Sequence, residues 1–162
     1  MFYEPKNGHN FEHNPFNAIV VPRPIGWIST LGSDGTPNLA PYSFFNAVSY
    51  TPPQVMFSAT SNHDFGGLKD AVMDVQATGE FVVNIATYEL REQMNKSAVP
   101  APRHVDEFTY SGLNKETSKI VKCPRVLESP IHLECRYTTS VTLPSADPAN
   151  PNTVVFGEVI GV

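Results

Sequence analysis

The stretch from Asn38 to Phe45 mixes Asn38, Pro41, Tyr42 and Ser43 with Leu39, Ala40, Phe44 and Phe45. Hydroxyl and amide groups therefore lie beside flat apolar surface, a combination that suits a flat ligand with a polar edge. A second constellation, His9-Asn10-Phe11-Glu12-His13, spells H-x-x-E-H, the zinc pattern of inverted zincins. That chemistry needs both histidines on one helical face. Here the run is bounded by Gly8 and Asn14-Pro15 with no amphipathic continuation, so a chance arrangement is the simpler reading and no metal site is expected. The chain has no G-x-G-x-x-G, no Walker loop, no G-x-S-x-G elbow and no CxxC pair. Rossmann dinucleotide binding, phosphoryl transfer, serine hydrolysis and a structural zinc site all lose support.

The elements that must position these groups read as short strands. Ile25, Trp27 and Ile28 favour a strand, Ser33-Asp34-Gly35-Thr36 carries the Asp-Gly pair of a tight hairpin turn, and Asn38 to Phe45 returns antiparallel. A polar loop and a third strand through Phe57 follow. Ile131, Leu133, Cys135, Tyr137, Val141 and Leu143 alternate with polar residues, predicting one strand with a buried and a wet face over Ile131 to Leu143. Its antiparallel partner is expected over Thr153 to Val162. One helix is clear: Leu68, Ala71, Val72 and Val75 recur at i, i+3, i+4 and i+7, with Asp64 near the start and Gly79 to stop it. It should plug or cover a barrel. Glu80 to Ala86 reads as a buried strand, Thr87 to Ser97 as a second helix with Leu90 and Met94 inward, and Val99 to Leu113 as an irregular excursion.

A length of 162 residues fits a single domain over residues 1–162 with a real core. The net charge is −5 and no block of Lys or Arg occurs, which argues against a nucleic acid or an anionic membrane as partner. Fifteen prolines argue against a helical bundle. Cys123 and Cys135 read as reduced thiols, and with no apolar leader a cytoplasmic location is expected. No stretch approaches the ~18 consecutive apolar residues of a membrane span. There is no repeat or low-complexity tract.

RPIGWIST from Arg23 to Thr30, then Asp34-Gly35, then NLAPYSFFNAVSYTPPQVMFS from Asn38 to Ser58, resembles the flavin reductase-like family of FMN-binding split β-barrels. TGEFVVNIA (Thr78 to Ala86), Met94-Asn95, VDEF (Val105 to Phe108), SGL (Ser111 to Leu113), PRVLESPIHLEC (Pro124 to Cys135) and FGEVIGV (Phe156 to Val162) follow in the family's order, so the resemblance covers nearly the whole chain. It implies a mainly β fold with some α: a split β-barrel with a capping helix.

The resemblance also implies an FMN site. The ring would lie along the first hairpin, with Trp27, Ser29, Thr30, Asn38, Pro41, Ser43 and Phe44 as candidates. The phosphate needs hydroxyls, backbone N–H groups and a cation, which Ser58, Thr60, Ser61 and Lys69 supply beside a helix N-terminus. Trp27 and Phe44 suit a packed core equally well, the hydroxyls suit a solvated strand face, and Lys69 suits an exposed helix. Lys69-Asp70 matches the family's pair at the helix start. Arg23, between Pro22 and Pro24, could serve the phosphate, a dimer interface or a mere turn, and His104 either the flavin face or the surface.

The implied activity is hydride transfer from NADH or NADPH to FMN, which passes electrons onward to a partner monooxygenase or redox protein. The implied assembly is a homodimer, and no catalytic side chain is singled out. Relatives of this type continue beyond the GEVIGV strand, so a C-terminal segment is expected to be missing. The loop from Ser61 to Gly67 is less basic than in close relatives, and Val75-Gln76 stands where an asparagine-isoleucine pair is usual. Two other readings stay open: a flavoredoxin-like electron carrier, and a non-enzymatic β-barrel module that has lost its flavin.

Overall fold

Two residues, Ser43 and Phe44, decide the architecture. In the computed structural model, which describes residues 2–162, a short helix α1 (Pro15–Ile19) precedes the expected hairpin of β1 (Gly26–Leu31) and β2 (Pro37–Tyr42). Gly35 takes φ +86 in the turn, and Thr30 faces Asn38. The returning strand was expected to run to Phe45. Instead the chain bends at Ser43-Phe44 and restarts as β3 (Phe45–Tyr50), which pairs with β4 (Pro53–Ala59).

The helix α2 (Asp70–Thr78) leads into β5 (Glu80–Asn84), followed by α3 (Arg91–Lys96), α4 (Glu107–Ser111), a ribbon of β6 (Lys115–Glu116) and β7 (Arg125–Val126), and the long pair β8 (His132–Leu143) and β9 (Asn152–Gly161). One antiparallel sheet orders its strands β2-β1-β5-β8-β9-β4-β3. The strands β2 and β3 are its opposite edges, yet two residues join them. The sheet must therefore curl until its edges meet, and since no ladder joins β2 to β3 the barrel stays split along that seam. Tyr42 of β2 packs on Phe57 of β4 at 4.9 Å, and Phe57 meets Phe81 of β5 edge-on at 5.6 Å.

The interior holds Ile28, Val55, Phe57, Phe81, Val83 and Val155, with Val72 and Val75 of α2 packed against them. That helix ends as expected, at Gly79 with φ +78 and its N–H on the Val75 carbonyl at 2.9 Å. It begins later than expected: Leu68 packs on the core ahead of the helix, and Asp64 does not cap it. The expected helix over Thr87 to Ser97 is regular only from Arg91 to Lys96. The excursion read as irregular contains α4, where the Asp106 carboxylate accepts the Phe108 and Thr109 N–H groups and Gly112 closes the end. The His9 to His13 run forms bends rather than a helix, and His9 sits between Tyr3 and Phe11. Among the described residues no helix is long and apolar enough to cross a membrane.

Close approach of strands across the curl explains Gly157. A Cβ there would lie 2.4 Å from the fully buried Phe81 ring. Gly157→Ala is expected to destabilise the fold by about 1–3 kcal/mol through overpacking, read as a lower urea midpoint.

The strand β8 departs most from its alternation. Cys135 is buried, but Ile131, Val141 and Leu143 are exposed and Glu134 is buried on the other face. A bulge between Tyr137 and Thr139 shifts the register, and the loop from Lys119 to Val121 covers Glu134 by donating three backbone N–H groups at 2.6–3.1 Å. Burial alone would raise this carboxyl; those donors and Arg125 outweigh it and hold it below the usual glutamate range. The stability it lends is present above the ordinary glutamate pKa and lost as pH falls through the lowered folded value. Glu134→Gln is expected to cost about 1–2 kcal/mol at neutral pH, with a flatter acid limb in pH-dependent urea unfolding.

Candidate functional site

The corner at Ser43-Phe44 opens a trough along the split seam. It consists of two adjoining clefts, of ≈ 320 Å³ and ≈ 160 Å³, which share Pro41, Tyr42 and Lys69. The first is lined by Asn17, Arg23, Ser43, Phe44, Ser58 and Thr60; the second runs past Asn38, Ala40, His63 and Asp70 to Glu107, with residues 97–101 as its far wall.

The first cleft gathers cations and hydroxyls. Arg23 is fixed by donating to the Asn17 and Val20 carbonyls at 2.7 and 2.8 Å, its Nε donates to Ser43 Oγ at 3.3 Å, and its guanidinium stands 5.4 Å from the Phe44 ring centre. Lys69 is half-buried and reaches Asp64 at 3.7 Å, a contact loose enough to exchange for a ligand. Ser58 and Thr60 stand at the end of β4, which is pinned to the corner by the Ser58 N–H on the Phe44 carbonyl at 2.8 Å. Two cations and three hydroxyls thus converge beside an aromatic ring.

The loop before α2 holds Lys69 in place. Arg103 pairs with Asp70 and donates to the Gly66 and Leu68 carbonyls. His63 accepts the Phe65 N–H at Nδ1 (3.0 Å) and turns Nε2 to Asp70 at 3.2 Å. Burial, then the neighbouring Arg103 and Lys69, push its pKa down, which fits a neutral ring donating from Nε2.

At the other end Glu107 opens α4 and is buried against β2, where its carboxylate accepts the Leu39 N–H at 3.1 Å. Burial raises its pKa, with Asp106 and Asp74 adding to the rise. The Tyr42 phenol between the two ends is raised likewise, first by burial and then by Glu107 and Asp74.

Of the residues expected from the sequence, Asn38, Pro41, Ser43, Phe44, Ser58, Thr60 and Lys69 line this trough. Trp27, Ser29 and Thr30 do not, because β1 is an interior strand covered on both faces. Trp27 is fully buried with Leu39, Phe108 and Val126, and its Nε1 donates to Ser97 Oγ at 2.9 Å. Ser29 donates to the Pro124 carbonyl at 2.7 Å, and Thr30 to Asp74 at 2.7 Å. Their role is support: Thr30 accepts the Asn38 amide at 2.9 Å and so orients it. Ser61 is exposed with φ +60 and lines neither cleft; His104 is exposed and lines neither, while its neighbour Arg103 holds the loop before α2.

Asn17, His63 and Glu107 also line the trough, and Arg103 clamps the loop beside it, without having been expected from the sequence. The signal available for Glu107 was Asp106 three residues before Thr109, an N-cap pattern that places a helix and its first-turn glutamate.

Residues 18–162 match the family described as flavin reductase like domain. An uncharacterized protein of Aquifex aeolicus is 45% identical over 143 residues, covering 88% of this chain and 69% of that protein. The chain spans 63% of a Deinococcus radiodurans relative that is 37% identical. Among solved structures, component B of nitrilotriacetate monooxygenase from Bacillus cereus superposes with a TM-score of 0.87 at 25% identity, over 99% of this chain and 80% of that one.

Proposed function

The chain belongs to the flavin reductase-like family, and from that premise we propose that it binds FMN in the trough between Arg23 and Glu107 and passes hydride from NADH or NADPH to that flavin. The observation that carries this reading is the convergence of Arg23 and Lys69 with Ser43, Ser58 and Thr60 on one cleft. Two cations and three hydroxyls match a phosphate dianion. The floor of Ala40, Pro41 and Tyr42 then offers a flat wall leading to the buried acceptor of Glu107, so the residues present fit a phosphorylated, flat, polar-edged cofactor.

Bound FMN would supply the redox chemistry by accepting a hydride and releasing electrons to a second acceptor. The chain's own residues would do the holding. Arg23 and Lys69 neutralise the phosphate, Phe44 and Pro41 exclude water beside the ring, and Asn38, oriented by Thr30, presents its amide to the polar edge. No side chain in the trough needs to act as acid or base.

A homodimer in the cytoplasm goes with this reading. Phe16, Ile19, Val20 and Val21 are exposed next to Asn17 and Arg23, which supports a second copy closing the trough from that side. Similarity to a monooxygenase component B favours a partner monooxygenase as consumer of the electrons. The test is anaerobic mixing of the FMN-loaded chain with NADH and, separately, NADPH. Rapid bleaching of the flavin band by either supports the reductase; a band that resists both moves the protein to an electron carrier fed by another protein.

A further inference from the structure

The two ends of the trough are chemically opposite, and the Glu107 end has an acceptor without a donor. Glu107 is 6% exposed, and the Leu39 N–H on one oxygen is the one hydrogen bond it receives from another residue among those described. Glu107 lines the cleft that Lys69 also lines, and its second carboxylate oxygen receives no hydrogen bond from another described residue. The acceptor position left over is open to a donor carried by a ligand. Asn38, beside it, spends one amide hydrogen on Thr30 and keeps the second. An acceptor next to a donor, at a distance from a cationic cleft, is the complement of an imide edge carried on a phosphorylated ligand.

We infer that Glu107 is a specificity-determining residue that accepts the N3–H of the flavin ring, with the free Asn38 amide hydrogen on a flanking ring carbonyl. This rests on the flavin reading above. A lone phosphate needs no such acceptor, and a ligand edge carrying carbonyls alone would leave the open oxygen of Glu107 without a donor.

The test compares FMN with 3-methyl-FMN, whose N3 carries a methyl group in place of hydrogen, by fluorescence titration of the full chain. The native protein is expected to bind the methylated flavin about tenfold more weakly or worse. Glu107→Ala should bind the two within about twofold of each other, and Glu107→Gln, which keeps an acceptor oxygen, should retain the preference for FMN. Equal binding of both flavins by the native chain overturns the inference and leaves FMN binding standing. Undiminished discrimination in Glu107→Ala also overturns it, because the methyl group would then be clashing elsewhere. Failure of both flavins to bind sinks this inference together with the flavin reading. The comparison within the native chain alters the ligand, so a folding defect cannot imitate it.

Discussion

Replacing Lys69 by alanine is expected to weaken FMN binding by about 1.5–3 kcal/mol, roughly ten- to hundredfold, while leaving riboflavin binding nearly unchanged. The two ligands differ by the phosphate alone, so the difference between them reads the phosphate contact. Lys69 is suited to that contact because among the described residues its ammonium pairs with Asp64 alone, at 3.7 Å, whereas the loop carrying it is clamped by Arg103 on Asp70, Gly66 and Leu68. A ligand anion therefore meets a cation whose backbone is already placed. Fluorescence titration with both flavins checks it. Equal loss for both would point to a folding defect, and no loss for either would remove Lys69 from the site.

Asn84→Leu is expected to destabilise the fold by about 2–4 kcal/mol. Asn84 is fully buried in β5 and braces three segments: its amide donates to the Trp27 carbonyl at 3.0 Å and to Ser29 Oγ at 3.1 Å, and its carbonyl accepts the Val126 N–H at 2.8 Å. Leucine has the same branched shape and number of side-chain heavy atoms, but it is bulkier and satisfies none of these groups, leaving buried polar atoms without partners. The β6-β7 ribbon should loosen first, since Val126 loses one of its ties to the main sheet and keeps its carbonyl's contact with His132. Urea unfolding reads the effect, and a change below about 0.5 kcal/mol would show that water or local movement replaces the bonds.

Much of the framework was legible because its signals are local. Asp34-Gly35 marks a turn through its backbone freedom, and Gly79 stops α2 by the left-handed conformation it adopts. That Ser58, Thr60 and Lys69 line one cleft was legible for a similar reason: they are close in sequence and flank one loop. What escaped depends on distant chain. Nothing near Ser43 says that β2 and β3 must become opposite edges of a curled sheet; that follows from the whole strand order. Trp27, Ser29 and Thr30 looked like ligand residues because hydroxyls beside an aromatic are ambiguous. Only the covering by Ser97, Pro124 and Asp74 assigns them inward. Glu107 reaches Leu39 from 68 residues further along, beyond any local pattern. The alternation of β8 was real but was broken by a bulge, and its polar face is covered by a loop at Glu134 while Arg136, Thr138 and Thr142 stay exposed.

The most direct test of the central claim is a crystal structure of the chain grown with FMN. The phosphate is expected among Arg23, Ser43, Ser58, Thr60 and Lys69, with the ring along Pro41 and Tyr42 toward Glu107. Flavin bound with its phosphate anywhere else, or a trough left empty at saturating FMN, would contradict the account.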